Sequence, residues 1–290
     1  MMLAGEQFQI CFSGLTLRFT QPRVPFALSE AFSSLLGQNE LEPDAEYEIV
    51  LLDTPLQPLT PPHHTYCGIN LYQTEEGWLR IHPLRRSENG CQVACLLRPS
   101  GKHTLFYPVA LWDHYANPLY CAHLMGIETV LLRKNAFLLH SSVVMLDGKA
   151  VLFFGPSGVG KSTQARLWQE HLGAQILNGD RCVVMQKEDG FYGGGSPLAG
   201  NSGIYRREQA PIAAIFLLKQ ASYCQATPMG ISALAPLLEQ TLLNSWDRDF
   251  MDCLMHLYQL LLAQVPVYKL YCTPDKPAVD LAYQTAFFQQ

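Results

Sequence analysis

The sequence predicts a mixed α/β fold: a β-rich N-terminal domain and an α/β C-terminal domain built on a strand, a glycine-rich loop and a helix. Two observations predict it. Short segments that alternate apolar and polar residues, separated by turn residues, fill the first third of the chain. After them, longer apolar strands alternate with segments of helical periodicity, which is typical of α/β domains. We place the boundary near residue 115, which gives domains at 1–115 and 116–290.

Composition excludes several classes of protein. Hydrophobic residues make up 48% of the 290 residues and charged residues 16%, against roughly 25% charged in typical soluble domains. A chain with so much apolar surface to bury is not disordered. The net charge of −5, without a cluster of Lys and Arg, argues against a nucleic-acid partner.

The same composition bears on the cellular compartment. The longest apolar runs, such as 213–218, fall far short of the roughly 20 residues that a membrane helix needs. The start of the chain lacks the basic and apolar regions of a secretion signal. Nine scattered cysteines, an odd number, favour reduced thiols over a disulfide framework. We therefore expect a cytoplasmic protein without a membrane partner.

The N-terminal domain is predicted to consist of strands and hairpins. Turn residues at Ser13 and Gly14, and again around Gly77, indicate two hairpins. Strands are predicted at 8–12, 15–19, 46–52, 69–72, 78–81, 91–97 and 104–107. Cys91 and Cys95 are a close pair, but a zinc site needs four converging ligands, so we interpret them as buried small residues. No chemical motif lies in this domain.

The C-terminal domain is predicted to begin with a connecting helix. Tyr120, Leu124, Ile127 and Leu131 recur at helical spacing, which predicts a helix from about 118 to 133. A long strand follows at 137–146, then a turn, then a strand at 151–154 that is apolar throughout and therefore buried on both faces. Further strands are predicted at 175–180, 211–218 and 265–271, and helix over much of 234–263.

The glycine-rich segment after the buried strand is the strongest signal in the sequence. It fits the pattern G-x-x-x-x-G-K-[ST] at every fixed position, with a strand before it and a helix after it. Its residues are Gly155, Pro156, Ser157, Gly158, Val159, Gly160, Lys161, Ser162 and Thr163. Glycines allow successive N–H groups to reach phosphate oxygens, and the helix N-terminus adds its positive dipole end. The segment therefore predicts a nucleotide-phosphate site, with Lys161 on the phosphates and Ser162 on Mg²⁺.

The next acidic residue also points to this site. Asp180 lies 19 residues after Lys161 at the end of a predicted strand, so strand, helix and strand bring it back beside the loop. Its carboxylate could hold Mg²⁺ or accept the proton of an attacking hydroxyl. The alternative is an Asp that caps a helix or lies in a surface turn. Arg181 could stabilise phosphoryl charge or pair with Asp180.

These residues resemble a known family. His140-Ser141-Ser142, then the loop, then Gly179-Asp180-Arg181, are similar in order and spacing to the catalytic domain of HPr kinase/phosphorylase. The phosphoenolpyruvate carboxykinases share the same general core. The resemblance covers roughly residues 136–290. It implies that Asp180 takes the proton from the acceptor hydroxyl, that His140 lines the site, and that Lys161 and Ser162 bind phosphate and metal. A strand histidine without a chemical role is the alternative for His140.

The resemblance implies a kinase that uses ATP and Mg²⁺ and transfers the γ-phosphate to a hydroxyl of a protein, a peptide or a small molecule. Catalytic roles would fall to Asp180, His140 and Lys161, and metal binding to Ser162 and Asp180. A homo-oligomer is one assembly that the resemblance allows. Two alternatives stay open: a nucleotide-binding regulatory module that transfers little phosphate, and an enzyme similar to the carboxykinases. The N-terminal domain would recognise the acceptor or mediate oligomerisation.

Two further segments are candidates for contact with the acceptor. The glycine-rich stretch 193–203 is predicted to be a flexible polar loop that closes over the site and excludes water, or else an ordinary surface loop. Arg206 and Arg207 could clamp a phosphate or an acidic group, or they form a solvated pair.

Overall fold

The computed structural model describes residues 7–20, 33–37, 41–54, 56–58, 60–66, 68–83, 92–112 and 124–288. The chain divides into two compact units, residues 1–11 with 15–130 and residues 12–14 with 131–290. The predicted boundary near residue 115 and the start of the predicted connecting helix lie outside the described residues. The two-domain assignment therefore stays a prediction.

The first unit contains an eight-stranded sheet. The strands are β1 (Gln7–Phe12), β2 (Leu15–Thr20), β3 (Ala45–Leu52), β4 (His64–Tyr66), β5 (Ile69–Thr74), β6 (Gly77–Pro83), β7 (Gln92–Leu97) and β8 (Lys102–Pro108). Their order is β1-β2-β3-β8-β7-β6-β5-β4. β3 is parallel to β2 and β8, and the neighbours from β8 to β4 are antiparallel. The predicted β-rich N-terminal region is thus confirmed, and β4 is a short addition to it.

The second unit is a mixed α/β structure. Its strands are β9 (Ala136–Leu139), β10 (Ser141–Leu146), β11 (Lys149–Phe154), β12 (Gln175–Asn178), β13 (Cys182–Lys187), β14 (Gly190–Gly194), β15 (Gln209–Gln220), β16 (Gln225–Pro228) and β17 (Val267–Cys272). The helices described in the chain are α1 (Ile127–Leu132), α2 (Lys161–Leu172), α3 (Leu234–Glu239), α4 (Arg248–Gln264) and α5 (Lys276–Phe288). Within the described ranges, every helix is too short or too polar to span a bilayer.

The centre of the second sheet positions the glycine-rich loop. β11 is parallel to β15, and β15 is parallel to β17, so the carboxyl ends of these three strands lie at one edge. Alternate residues of β11 point to opposite faces, because a strand has a period of two. Leu152 and Phe154 pack in one core with α3 and α4, and Val151 and Phe153 pack in the other with α2 and α5. The predicted buried strand is confirmed.

The predicted single strand at 137–146 is wrong, because the chain breaks at His140. β9 pairs with β13, whereas β10 pairs with β11 and β12. Between the two strands, the backbone N–H of His140 donates to the carbonyl of Gln240 at 2.7 Å. One apolar run therefore forms two strands because its two halves pair with different neighbouring strands, and His140 lies at the junction.

The prediction of a flexible loop from residue 193 is also wrong in its first part. Gly193 and Gly194 belong to β14, which pairs with β13 and β15, and both residues are buried. A Cβ at Gly193 would lie 2.8 Å from Leu152 Cδ1, so glycine is needed there for close packing. Farther on, Gly200–Ser202 forms a 3₁₀ turn.

Six cysteines lie in the part of the chain that the structure describes, and none of these six forms a disulfide: Cys11, Cys95, Cys182, Cys224, Cys253 and Cys272. Cys95 is fully buried on β7, as expected of a small apolar side chain. Its predicted neighbour Cys91 lies outside the described residues.

Candidate functional site

The glycine-rich loop joins β11 to α2 at the carboxyl edge of the three parallel strands. Gly155, Gly158 and Gly160 have φ angles of 139°, 78° and 111°, a region that other residues adopt only with strain. Gly160 is the N-cap of α2 and provides no side-chain cap. The N–H groups of the first helical turn are therefore open to an anion.

Lys161 folds back over this loop. Its Nζ donates to the carbonyls of Gly155 at 2.9 Å and Pro156 at 3.2 Å, and the residue is only 7% exposed. Burial lowers the pKa of Lys161, and the negative charge of Asp180 partly offsets that effect. The ammonium group is thus a poorly hydrated charge that an anion on the loop would stabilise.

Asp180 and His140 form the second part of the site. His140 Nε2 lies 3.4 Å from Asp180 Oδ1, and both side chains are partly open to solvent. The hydrogen bond from His140 holds the pKa of Asp180 below its usual value, against the opposing effect of desolvation. Arg181 Nε lies 3.9 Å from the other carboxylate oxygen. Asp180 is therefore a carboxylate that stays ionised and has a nitrogen donor beside it.

Asn178 fixes the backbone that carries Asp180, and the sequence analysis missed it. Its Oδ1 accepts hydrogen bonds from the N–H groups of Asp180 at 2.8 Å and Arg181 at 2.9 Å. Its side chain is fully buried, and Nδ2 donates to the carbonyl of Ser196 at 3.3 Å. The signal was available, because an Asn two residues before an Asp at a strand end is typical of a turn closed by the Asn side chain.

The 3₁₀ turn Gly200–Ser202 packs closely on Asp180, and the sequence analysis also missed this contact. A Cβ at Gly200 would lie 2.7 Å from Asp180 Cγ, and a Cβ at Gly179 would lie 2.6 Å from Ser202 Cβ. Neither glycine can be replaced without movement of the turn. The packing covers one side of the carboxylate.

One cavity of about 320 Å³ joins these parts. Its lining residues are His140, Ser157, Gly158, Gly160, Lys161, Ser162, Thr163, Gly179, Asp180, Asn201 and Ser202. The structure thus brings His140, Asp180 and most of the loop together. Among the predicted residues, Gly155, Pro156 and Val159 support the loop without lining this cavity, and Arg206 and Arg207 do not line it either.

A comparison with sequence families matches residues 120–273 to the family described as SynChlorMet cassette protein ScmC. The matched segment is more than half of the chain. The chain belongs to the ScmC family.

The ScmC segment contains every residue of the cavity. It begins before His140, includes the loop and Asp180, and ends directly after β17 at Thr273. The β-rich sheet of the first unit lies before it. The family match therefore follows the α/β part of the chain, where the candidate site lies.

Comparison with solved structures gives a distant likeness. The structure of the Hpr(Ser) kinase/phosphatase from Coxiella burnetii is 14% identical in sequence, with a TM-score of 0.30. The match covers 51% of this chain and 87% of that chain. A search of the curated proteins found no match.

Among its described lining residues, the cavity has few side chains that commonly bind metal ions. Within the residues that the structure describes, no group of three or more His, Cys, Asp and Glu side chains is placed to hold a metal ion. Ser162 and Asp180 nevertheless line the same cavity, and Ser162 Oγ donates to the Gly179 carbonyl at 3.5 Å. One hydroxyl and one carboxylate suit a cation such as Mg²⁺, which keeps several of its waters.

Proposed function

We propose that this chain is a Mg²⁺-dependent kinase that transfers the γ-phosphate of ATP to a hydroxyl group. One observation carries the proposal: the glycine-rich loop with Lys161 and the Asp180–His140 pair line a single cavity. Phosphoryl transfer needs groups that bind the phosphates and a group that orients the acceptor hydroxyl, and residues suited to both tasks line this cavity. The match in sequence order to the HPr kinases agrees with this assignment.

The loop would bind the phosphates through its backbone. The positive φ angles of its glycines and the uncapped start of α2 provide N–H donors for phosphate oxygens. Lys161 would leave the carbonyls of Gly155 and Pro156 and donate to the β- and γ-phosphates, whose charge would compensate for its burial.

Asp180 would orient the acceptor hydroxyl and take its proton. A bond forms between the acceptor oxygen and the γ-phosphorus, the bond from that phosphorus to the bridging oxygen breaks, and ADP leaves. His140 would hold the carboxylate in position through the contact at 3.4 Å. Catalysis would rest on positioning and charge stabilisation.

Ser162 and Asp180 would hold Mg²⁺, with water completing its coordination. The metal would neutralise charge on the phosphates. Ser162 lies in the first turn of α2 directly after Lys161. It lines the same cavity as Asp180.

The acceptor would be a hydroxyl of a protein, a peptide or a small molecule. We propose that the N-terminal domain, 1–115, recognises that acceptor or mediates formation of a homo-oligomer, and that the C-terminal domain, 116–290, carries the chemistry. The chain would act in the cytoplasm, without a nucleic-acid or membrane partner.

A nucleotide-binding regulatory module is the second candidate. The observation that favours it is the small number of acidic side chains in the cavity, since Asp180 is the one carboxylate among its described lining residues. With a single carboxylate shared between metal and proton, nucleotide occupancy rather than transfer would be the signal.

Two variants separate binding from transfer. Asp180→Asn is expected to bind ATP with Mg²⁺ yet to lower phosphate transfer by about 10²- to 10⁴-fold, because the amide cannot take a proton. Lys161→Met is expected to weaken ATP binding by about 10- to 100-fold, because it removes charge-assisted hydrogen bonds. Calorimetry measures binding, and γ-labelled ATP incubated with cell extract measures transfer.

Asp189→Asn and Lys149→Met are the matched controls, because these exposed residues lie away from the cavity lining. Both are expected to behave as the unmodified chain. Full transfer by Asp180→Asn would refute the role of Asp180. If the unmodified chain binds ATP but labels no acceptor, the regulatory module is the better assignment.

A further inference from the structure

A second cavity adjoins the glycine-rich loop. Its volume is about 340 Å³, and it shares Gly158, Gly160 and Thr163 with the first cavity. His140 and Asp180 line only the first cavity. The loop therefore separates two spaces, one with the groups suited to transfer and one without them.

The opposite wall of this second cavity comes from the ends of two parallel strands. Gln220 is the last residue of β15, Cys272 is the last residue of β17, and Thr273 follows it. The loop itself follows β11, which is parallel to β15. The cavity thus lies outside the carboxyl ends of neighbouring parallel strands, where open α/β sheets bind their ligands.

Gln220 connects this cavity to the loop. Its Nε2 donates to the carbonyl of Gly158 at 3.2 Å and lies 3.5 Å from the carbonyl of Val159. A ligand that contacts Gln220 from the second cavity would therefore also stabilise the loop.

Gln164 provides a buried polar group on the wall of the second cavity. The residue is 2% exposed and lines the second cavity from the first turn of α2. Its Nε2 donates to Cys272 Sγ at 3.6 Å. That contact orients the amide and leaves Oε1 buried without a hydrogen-bond partner in the part of the chain that the structure describes. A buried acceptor of this kind is unfavourable unless a donor reaches it.

We propose that the second cavity binds the base of the nucleotide whose phosphates lie on the loop, and that Gln164 Oε1 accepts a hydrogen bond from an exocyclic amino group of that base. The inference rests on the proposed function, because it assumes that the loop binds a nucleotide. Adenine has an amino group where hypoxanthine has a carbonyl oxygen. Gln164 would therefore select ATP over ITP, whose base has nearly the same shape.

The test is equilibrium binding of three probes to the full chain, each with Mg²⁺: ATP, ITP and inorganic tripolyphosphate. The unmodified chain is expected to bind ATP about 10-fold or more tightly than ITP, because a carbonyl facing Oε1 leaves both acceptors unsatisfied. Gln164→Met, which keeps the length of the side chain and removes the acceptor, is expected to bind ATP no more tightly than ITP. Gln169→Met, an exposed position of the same helix, is the control and is expected to keep the preference.

The outcomes distinguish the two proposals. If tripolyphosphate binds but ATP and ITP bind equally to the unmodified chain, the base assignment is wrong and the phosphate site stands. If neither ATP nor tripolyphosphate binds, the phosphate site fails and the base assignment fails with it. If Gln164→Met keeps the preference for ATP, another residue selects the base. The comparison of ATP with ITP on the unmodified chain does not depend on how well any variant folds.

Discussion

The two units of the chain each contain a carboxylate paired with a nitrogen base, and the two pairs differ in their access to solvent. In the first unit, Arg80 Nη1 contacts Glu128 Oε1, and the two side chains are 7% and 5% exposed. In the second unit, His140 Nε2 lies 3.4 Å from Asp180 Oδ1, and these side chains are 26% and 33% exposed. The first pair is closed and the second lines a cavity.

This difference in exposure separates charged groups that stabilise the fold from charged groups that can take part in chemistry. When a closed pair loses one member, the other member remains as a buried charge without compensation, and the fold is destabilised. An open pair can exchange a proton or a ligand, because water and substrate reach it. We therefore expect changes at Glu128 to affect stability, and changes around Asp180 to affect activity first.

The largest effect is expected at the closed pair. Glu128→Gln should lower the free energy of unfolding by about 3–5 kcal/mol, because the Arg80 guanidinium then loses the buried negative charge of Glu128. Urea unfolding measures the change. Glu76→Gln is the matched control, since Glu76, in the turn between β5 and β6, accepts from Arg98 Nε at 2.7 Å but is 64% exposed. It should cost less than about 1 kcal/mol, and equal losses in both variants would remove the distinction between closed and exposed pairs.

The next effect concerns the turn that packs on the open pair. Gly200→Ala should lower the free energy of unfolding by about 2–4 kcal/mol, because a positive φ and a contact with Asp180 Cγ both oppose a Cβ. Gly203→Ala is the matched control: φ is also positive, but the added Cβ meets no atom within 4 Å. That variant should lose only about 1–2 kcal/mol. Phosphate transfer should fall in the first variant and persist in the second, and identical behaviour would show that the contact with Asp180 has no role.

The two regions also differ in how far the sequence could predict them. The loop from Gly155 to Thr163 was predictable because its requirements are local: glycines at positive φ, then a lysine at the start of a helix. The position of Asp180 followed from the connection of strand, helix and strand. The strands of the first unit followed from alternation and turn residues.

The parts that failed depend on partners distant in sequence. The break at His140 arises because β9 and β10 pair with different strands, and an apolar run contains no sign of that choice. Gly193 was predicted to lie in a loop because glycine is typical of loops, but Leu152 leaves no room for a side chain there. The role of Gly200 is likewise a contact with Asp180 rather than a property of its own segment.

The smallest effect is expected from the acid titration of the open pair. The pKa of Asp180 is lower in the folded chain than its ordinary value near 3.8, first because of the hydrogen bond from His140. A lowered pKa means that the unfolded chain binds the proton first, so this stabilisation is fully present above about pH 4 and is lost as the pH falls through the folded pKa. Asp180→Asn should lack this component of the stability, which is less than about 1 kcal/mol for a pair so open to solvent.

Urea unfolding at a series of pH values measures this component of the stability, with Asp252→Asn as the control at an exposed carboxylate. A difference between unmodified chain and Asp180→Asn that stayed constant down to strong acid would mean that His140 does not stabilise the charged carboxylate. The contact between His140 and Asp180 would then contribute no electrostatic stabilisation to the folded chain.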